Sequence, residues 1–172
     1  MKKPLISIIT PTYKSRDYID HTIESVISQT YDNWELIVVD DASMDGIEDY
    51  IREKYNDSRI KVFVKNINEG AARARNYAID NASGDFLAFL DSDDVWDKEK
   101  LSKQVNFMMN NNYAFTFTSY MIVDESNSGM NKEVRVPSKI DYEGFLRNTI
   151  IGTSTVMLNR ALINNSYLVD VR

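Results

Sequence analysis

A chain of 172 residues with 43% hydrophobic and 27% charged residues is long enough for one domain with a substantial core, and this balance excludes intrinsic disorder. The formal charge of -6 at pH 7 excludes a nucleic-acid binder held mainly by phosphate contacts, although a nucleotide site needs only local positive charge and metal. With no cysteine, the chain has no disulfide framework, thiolate zinc site or cysteine nucleophile. No stretch approaches the roughly 20 apolar residues of a membrane span. Thr10-Pro11-Thr12 ends the apolar run that follows Lys2-Lys3 too early for a signal peptide.

Leu5 to Thr10 reads as a short buried strand, and Pro11-Thr12-Tyr13-Lys14-Ser15 as a turn into a helix from about Asp17. On that helix Ile19, Ile23, Val26 and Ile27 form one apolar stripe. Trp34 to Val39 is a second buried strand ending in Asp40-Asp41-Ala42-Ser43, followed by a polar helix from about Asp45 to Tyr55. Arg59 to Lys65 alternates as a half-exposed strand near a sheet edge should. Asn66 to Gly70 turns the chain into an alanine-rich helix, Ala71 to Ala82, whose small side chains allow close packing.

The next strand, Asp85 to Leu90, is an apolar run that ends in Asp91-Ser92-Asp93-Asp94, three carboxylates in four residues. Taken alone, such a cluster is more readily a helix cap or a solvated turn than a metal site, because Asp and Ser favour turns. A helix of about Lys98 to Asn110 carries Leu101, Val105 and Met108 on one face. Four strand-helix units in succession predict an α/β fold with a doubly wound, mostly parallel, Rossmann-like sheet, in which ligands bind beyond the carboxyl ends of the strands. Tyr13, Asp41 and Asp91 to Asp94 all follow strand ends and can meet at one mouth.

Beyond Asn112 the pattern changes. Ala114 to Val123 reads as one long alternating strand, Val134 to Val136 as another, Asp141 to Leu146 as a short helix and Thr155 to Leu158 as a last strand. The ending, Asn165 to Arg172, offers no stop signal for a fold.

Several blocks together resemble the family 2 glycosyltransferases of the GT-A fold: Ser7 to Tyr13, Ser28-Gln29-Thr30-Tyr31, Glu35 to Ser43, Asn68-x-Gly70 with Ala74-Arg75-Asn76, and Asp91 to Asp94. The match runs in the right order over about the first 110 residues. The resemblance implies a donor half over 1–112 and the start of an acceptor half over 113–172. It also implies transfer of a sugar from a nucleoside-diphosphate sugar, a UDP-sugar foremost, to an acceptor hydroxyl, with inversion at the anomeric carbon. A divalent cation, Mn or Mg, is the implied cofactor. A glycan or lipid-linked acceptor, a role in surface polysaccharide synthesis, and a cytoplasmic position peripheral to the inner membrane face are further expectations from the family.

Residue by residue, Pro11, Thr12 and Tyr13 match the turn beside the nucleotide base, with the Tyr13 ring suited to stacking. Asp41 matches the carboxylate that accepts a hydrogen bond from the base, and Asp40 is expected to hold the turn. Asp91 matches the Asp near the ribose, with Ser92 beside it, and Asp93 matches the metal ligand that bridges the diphosphate. Asp94 is expected to cap the following helix or to support the site from behind.

Arg75 fits two roles, contact with the donor diphosphate or a structural ion pair with a strand-end carboxylate, since a guanidinium suits both. Arg73 is a weaker candidate. Gly70 permits a positive φ or a close backbone approach. His21, the only histidine, is read as a surface residue. The family's general base follows a segment resembling Tyr167 to Asp170, so it is expected beyond Arg172 in a longer enzyme; Asp170 matches a preceding aspartate, and Asp124 is a remote candidate.

Two other classes share carboxylates at strand ends. A nucleotidyltransferase is disfavoured because no Gly-rich basic run follows the first strand. A non-enzymatic phospho-accepting receiver module is disfavoured because the acidic pair follows the second strand, not the first.

Overall fold

A computed structural model of the chain describes residues 3–123, 132–141, 143–144 and 150–162. Four parallel strands, β1 (Ile6–Thr12), β2 (Trp34–Asp40), β3 (Ile60–Val64) and β4 (Phe86–Phe89), alternate with four helices, α1 (Ile19–Ile27), α2 (Ile47–Lys54), α3 (Ala71–Asp80) and α4 (Lys100–Asn111). The later strands are β5 (Phe115–Thr116), β6 (Tyr120–Ile122), β7 (Lys132–Val134) and β8 (Met157–Asn159). The main sheet has the order β3-β2-β1-β4-β8-β5, with β8 antiparallel to both of its neighbours.

The continuous apolar runs become strands covered on both faces, as all-parallel strands require. Every residue of β1, β2 and β4 is buried. One face packs Ile6, Ile8, Leu36, Val38, Ala88 and Leu90 against α1, α2 and α4 through residues such as Ile23, Ile51, Leu101 and Val105. The other packs Ile9, Ile37, Val39, Leu87 and Phe89 against α3, where fully buried Ala74 and Ala78 leave room for close approach. Gly84 marks the tightest contact: a Cβ there would lie 2.6 Å from the Ser7 nitrogen and 2.8 Å from the Leu5 oxygen.

Several sequence expectations need correction: the strand expected over Val134 to Val136 is Lys132–Val134, and the last strand, expected over Thr155 to Leu158, is Met157–Asn159 after a 3-10 turn, Thr153–Thr155. The α1 stripe is carried by Ile19, Thr22, Ile23 and Val26, whereas Ile27 is exposed. The long strand expected over Ala114 to Val123 is two short strands in different sheets. β8 offers β5 partners only for Phe115 and Thr116, and the chain then leaves to pair Tyr120–Ile122 with β7. The edge position of β3 is as expected. Half of the expected helix over Asp141 to Leu146 falls outside the described residues, and Asp124 and the Tyr167 to Asp170 segment lie wholly outside them.

The fold makes one mouth special. The chain runs outward through β1, β2 and β3, then returns to place β4 on the other side of β1. Strand order therefore reverses between β1 and β4, and the loops after these strands diverge to leave a crevice.

Candidate functional site at the β1–β4 crossover

The register brings the strand-end residues together. Pro11 pairs with Val39 and Thr12 with Asp40, so the turn after β1 lies between Asp41 on one side and Asp91 on the other. Pro11 and Thr12 are buried, and the Thr12 carbonyl accepts the Asp41 amide at 2.9 Å. These two residues support the turn from below, while Tyr13 is 46% exposed with the Lys14 ammonium 5.2 Å from its ring centroid. Lys14, Ala42 and Met44 have φ of 53°, 65° and 56°. Such left-handed residues persist only where neighbours hold them. Here Ser43 does so: its hydroxyl accepts the Lys14 amide at 2.7 Å and donates to Asp40, whose carboxylate also takes the Ser43 amide at 3.0 Å. Asp40 thus holds the turn.

Asp41 is buried, and its carboxylate closes the far wall. It accepts Lys65 Nζ at 2.7 Å, the Glu69 amide at 3.0 Å and the Gly70 amide at 2.6 Å. Burial raises the Asp41 pKa, but these donors outweigh it and leave the carboxyl below its ordinary value. Gly70, with φ of 90°, combines the two properties expected of it, since its unusual backbone delivers its amide to Asp41 just before α3 begins. Lys65 bridges onward to Glu69 at 2.9 Å.

The opposite wall is the acidic loop. Arg75, from α3, meets Asp91 Oδ1 at 2.5 Å, with side chains 17% and 32% exposed. The ion pair foreseen for Arg75 therefore forms, and its partner is a strand-end carboxylate. The Arg75 Nε is buried without a hydrogen-bond partner among the described residues. Ser92 is buried, its hydroxyl 2.9 Å from Ser15 Oγ. Thr22, from α1, donates to the carbonyls of Ser92 at 2.9 Å and Asp94 at 2.8 Å, fixing the loop from beneath.

Asp94 does not cap α4. That helix begins six residues later at Lys100, and Asp94 Oδ2 instead accepts Ser154 Oγ at 2.5 Å. Burial raises the Asp94 pKa above the usual value; the Ser154 hydrogen bond opposes this, and the charges of Asp93 and Asp91 add to it. Asp93 is exposed and makes no hydrogen bond or ion pair among the described residues.

A hard divalent cation takes oxygen ligands, and Mg2+ in particular often binds through one or two carboxylates plus substrate phosphates and water. An uncommitted Asp93 beside Asp91 fits that pattern. Among the described residues no group of three or more His, Cys, Asp or Glu forms a self-contained cage. The donor set therefore suits an ion brought or shared by a phosphate ligand.

The other candidates lie outside the crevice. Arg73 is exposed and 3.6 Å from Glu69, and His21 is exposed on α1. Thr22, Lys65 and Ser154 escaped sequence reading, because each acts on a residue 24 to 72 positions away. The apolar alternation of β3 ending in Lys65 was the one available hint, a cation placed at a strand end.

The model of the family described as Glycosyl transferase family 2 matches residues 7–168. TuaG of Bacillus subtilis (strain 168), a glycosyltransferase named for teichuronic acid biosynthesis, is 44% identical over 99% of this chain and 68% of its own length. WfgD of Escherichia coli, a UDP-Glc:alpha-D-GlcNAc-diphosphoundecaprenol beta-1,3-glucosyltransferase, is 46% identical over 93% of this chain and 62% of its own length. Among solved structures, Staphylococcus aureus TarS 1-349 in complex with UDP-GlcNAc aligns with a TM-score of 0.64 and 31% identity over 70% of this chain and 35% of that one. The chain thus spans about two thirds of the length of these curated relatives. The match sets aside the nucleotidyltransferase and receiver readings, and the sheet, its crossover and this likeness agree on the GT-A fold. On sequence and architecture alike, the chain belongs to glycosyl transferase family 2.

Proposed function

We propose that the crevice binds a nucleoside-diphosphate sugar, a UDP-sugar foremost, and that the protein transfers the sugar to an acceptor hydroxyl with inversion. One observation carries the reading: where strand order reverses between β1 and β4, an exposed aromatic ring (Tyr13), a half-buried Arg–Asp pair (Arg75 and Asp91) and a carboxylate uncommitted among the described residues (Asp93) gather beyond the strand ends.

In this reading Tyr13 stacks on the base. Pro11, Thr12 and Asp41 shape the pocket around it, with Asp41 the carboxylate nearest the base edge; both its oxygens already accept protein donors, so a base N–H would share an oxygen with one of them. Asp91 and Ser92 lie toward the ribose, and Arg75 faces the diphosphate while orienting Asp91. Asp93 holds the divalent cation, which supplies charge neutralisation for the departing diphosphate. No described side chain is assigned the general-base role.

Residues 1–112 form the donor half and 113–172 begin the acceptor half. TuaG and WfgD support an acceptor in surface polysaccharide synthesis, lipid-linked in the case of WfgD, and such an acceptor would bring the enzyme to the inner membrane face. Among the described residues no helix is long and apolar enough to cross a membrane.

The test is calorimetric titration of UDP, GDP and dTDP with and without Mn2+, for the wild type and Asp93→Ala. Binding that needs both metal and Asp93 is the expected result. If none of the three nucleotides binds, the donor-site reading is wrong.

A further inference from the structure

Ser154 comes from the half of the chain that the donor motifs do not reach, yet it makes three hydrogen bonds to the acidic loop. Its hydroxyl accepts the Asp91 amide at 3.0 Å and donates to Asp94 Oδ2 at 2.5 Å, and its carbonyl accepts the Trp96 indole N–H at 2.7 Å. One residue thus pins the loop at 91, 94 and 96, on either side of Asp93, which has no partner among the described residues.

Ser154 is itself held firmly. It lies in a 3-10 turn, Thr153–Thr155, whose last residue is buried and donates its amide and hydroxyl to the Gly152 carbonyl at 3.0 and 2.7 Å. Buried Gln104 of α4 reaches the Thr155 carbonyl at 3.0 Å, and the Phe89 amide of β4 reaches the Val156 carbonyl at 3.2 Å. The turn is therefore anchored to both α4 and β4, and the Ser154 hydroxyl projects from a fixed base.

We propose that Ser154 is a positioning residue for the metal and diphosphate site: it sets the shape of the 91–96 loop, so that Asp93 is presented to the cation while Asp94 is drawn away. The inference rests on the donor-site reading above. Without the hydroxyl, the Asp91 amide loses its acceptor and Asp94 is free to swing toward Asp93, where a second carboxylate alters the spacing of the ligand oxygens. Residues that orient a metal ligand in this way typically change metal affinity roughly 10–100-fold when removed. The acidic loop is thereby tied to the chain segment proposed to begin the acceptor half, beside the β4–β8 pairing that also joins the two halves.

The readout is the Mn2+ concentration that gives half-maximal nucleoside-diphosphate binding to the full chain, measured together with Tm. For Ser154→Ala this concentration should rise about tenfold or more. Ser154→Thr, which keeps the hydroxyl, should stay near the wild type, and Trp96→Phe, which removes the indole N–H from the Ser154 carbonyl and shrinks the buried ring, should shift in the same direction by less. An unchanged Mn2+ dependence in Ser154→Ala, with or without a loss of Tm, overturns the inference, because a merely structural role lowers stability without moving the metal requirement. If Ser154→Ala does not fold, an unchanged Mn2+ dependence in Trp96→Phe overturns it equally. A wild type that binds no nucleoside diphosphate in Mn2+ is a separate result, and it refutes the donor-site reading itself.

Discussion

Glu35 should make stability depend on acid in a way that isolates one side chain. It lies on β2 at the end of the sheet away from the crevice, 5% exposed, and accepts Ser7 Oγ at 2.5 Å, the Ser83 amide at 2.7 Å, Ser83 Oγ at 2.9 Å and Lys61 Nζ at 2.6 Å. It joins β1, β2, β3 and the turn before β4. Burial alone pushes the carboxyl up, but the Lys61, Ser7 and Ser83 hydrogen bonds outweigh it and bring the pKa from 4.5 down to about 2. At about 1.4 kcal/mol per pH unit, this difference corresponds to about 3 kcal/mol of stability.

Because the folded-state value is depressed, that stability is fully present above pH 4.5 and is lost as pH falls toward 2. Urea denaturation of the wild type and Glu35→Gln should therefore show a gap of about 3 kcal/mol at pH 7, shrinking to about 1.4 kcal/mol at pH 3. In thermal melts at pH 7 the variant should unfold roughly 6–12 °C lower. A gap that stays constant with pH, or widens on acidification, would refute the claim that an ionised, hydrogen-bonded Glu35 holds these four elements together.

Three further outcomes are expected. Gly84→Ala forces a methyl group against the backbone of Ser7 and Leu5 and should cost about 1–3 kcal/mol, read as a drop in Tm with nucleotide affinity retained in the folded fraction. Asp41→Asn removes the charge that Lys65 and two amides converge on; chemical denaturation should show a loss of about 1–3 kcal/mol, and nucleotide binding should weaken as the loop before α3 loosens. Arg75→Lys keeps the charge but not the planar fork, so calorimetry should show nucleoside-diphosphate affinity lowered at least about tenfold; unchanged affinity would mean that Arg75 only orients Asp91.

The strand-end residues of the candidate site were legible in the sequence because they sit where local signals end. Each apolar run of a buried strand stops at a polar residue, so Tyr13, Asp41 and Asp91 could be placed at the mouth before any contact was known. The parallel sheet followed from four strand-helix repeats. The tail was less legible: a period-two alternation over Ala114 to Val123 cannot reveal that its partner strand, β8, is too short to pair with all of it.

The sequence by itself determined the four strand-helix units and which strand ends hold the carboxylates, since hydrophobic periodicity and turn residues act over a few positions. Only the tertiary structure decided what each carboxylate does. Asp40, Asp41, Asp91, Asp93 and Asp94 are chemically alike in the sequence, yet one holds a turn, one anchors a loop, one pairs with Arg75, one is left uncommitted and one is drawn to Ser154. Those roles depend on donors up to 60 residues away, delivered when β8 inserts antiparallel beside β4 and α3 packs over the sheet. A carboxylate's role is set by the hydrogen bonds and charges around it, and that environment exists only once the chain has folded.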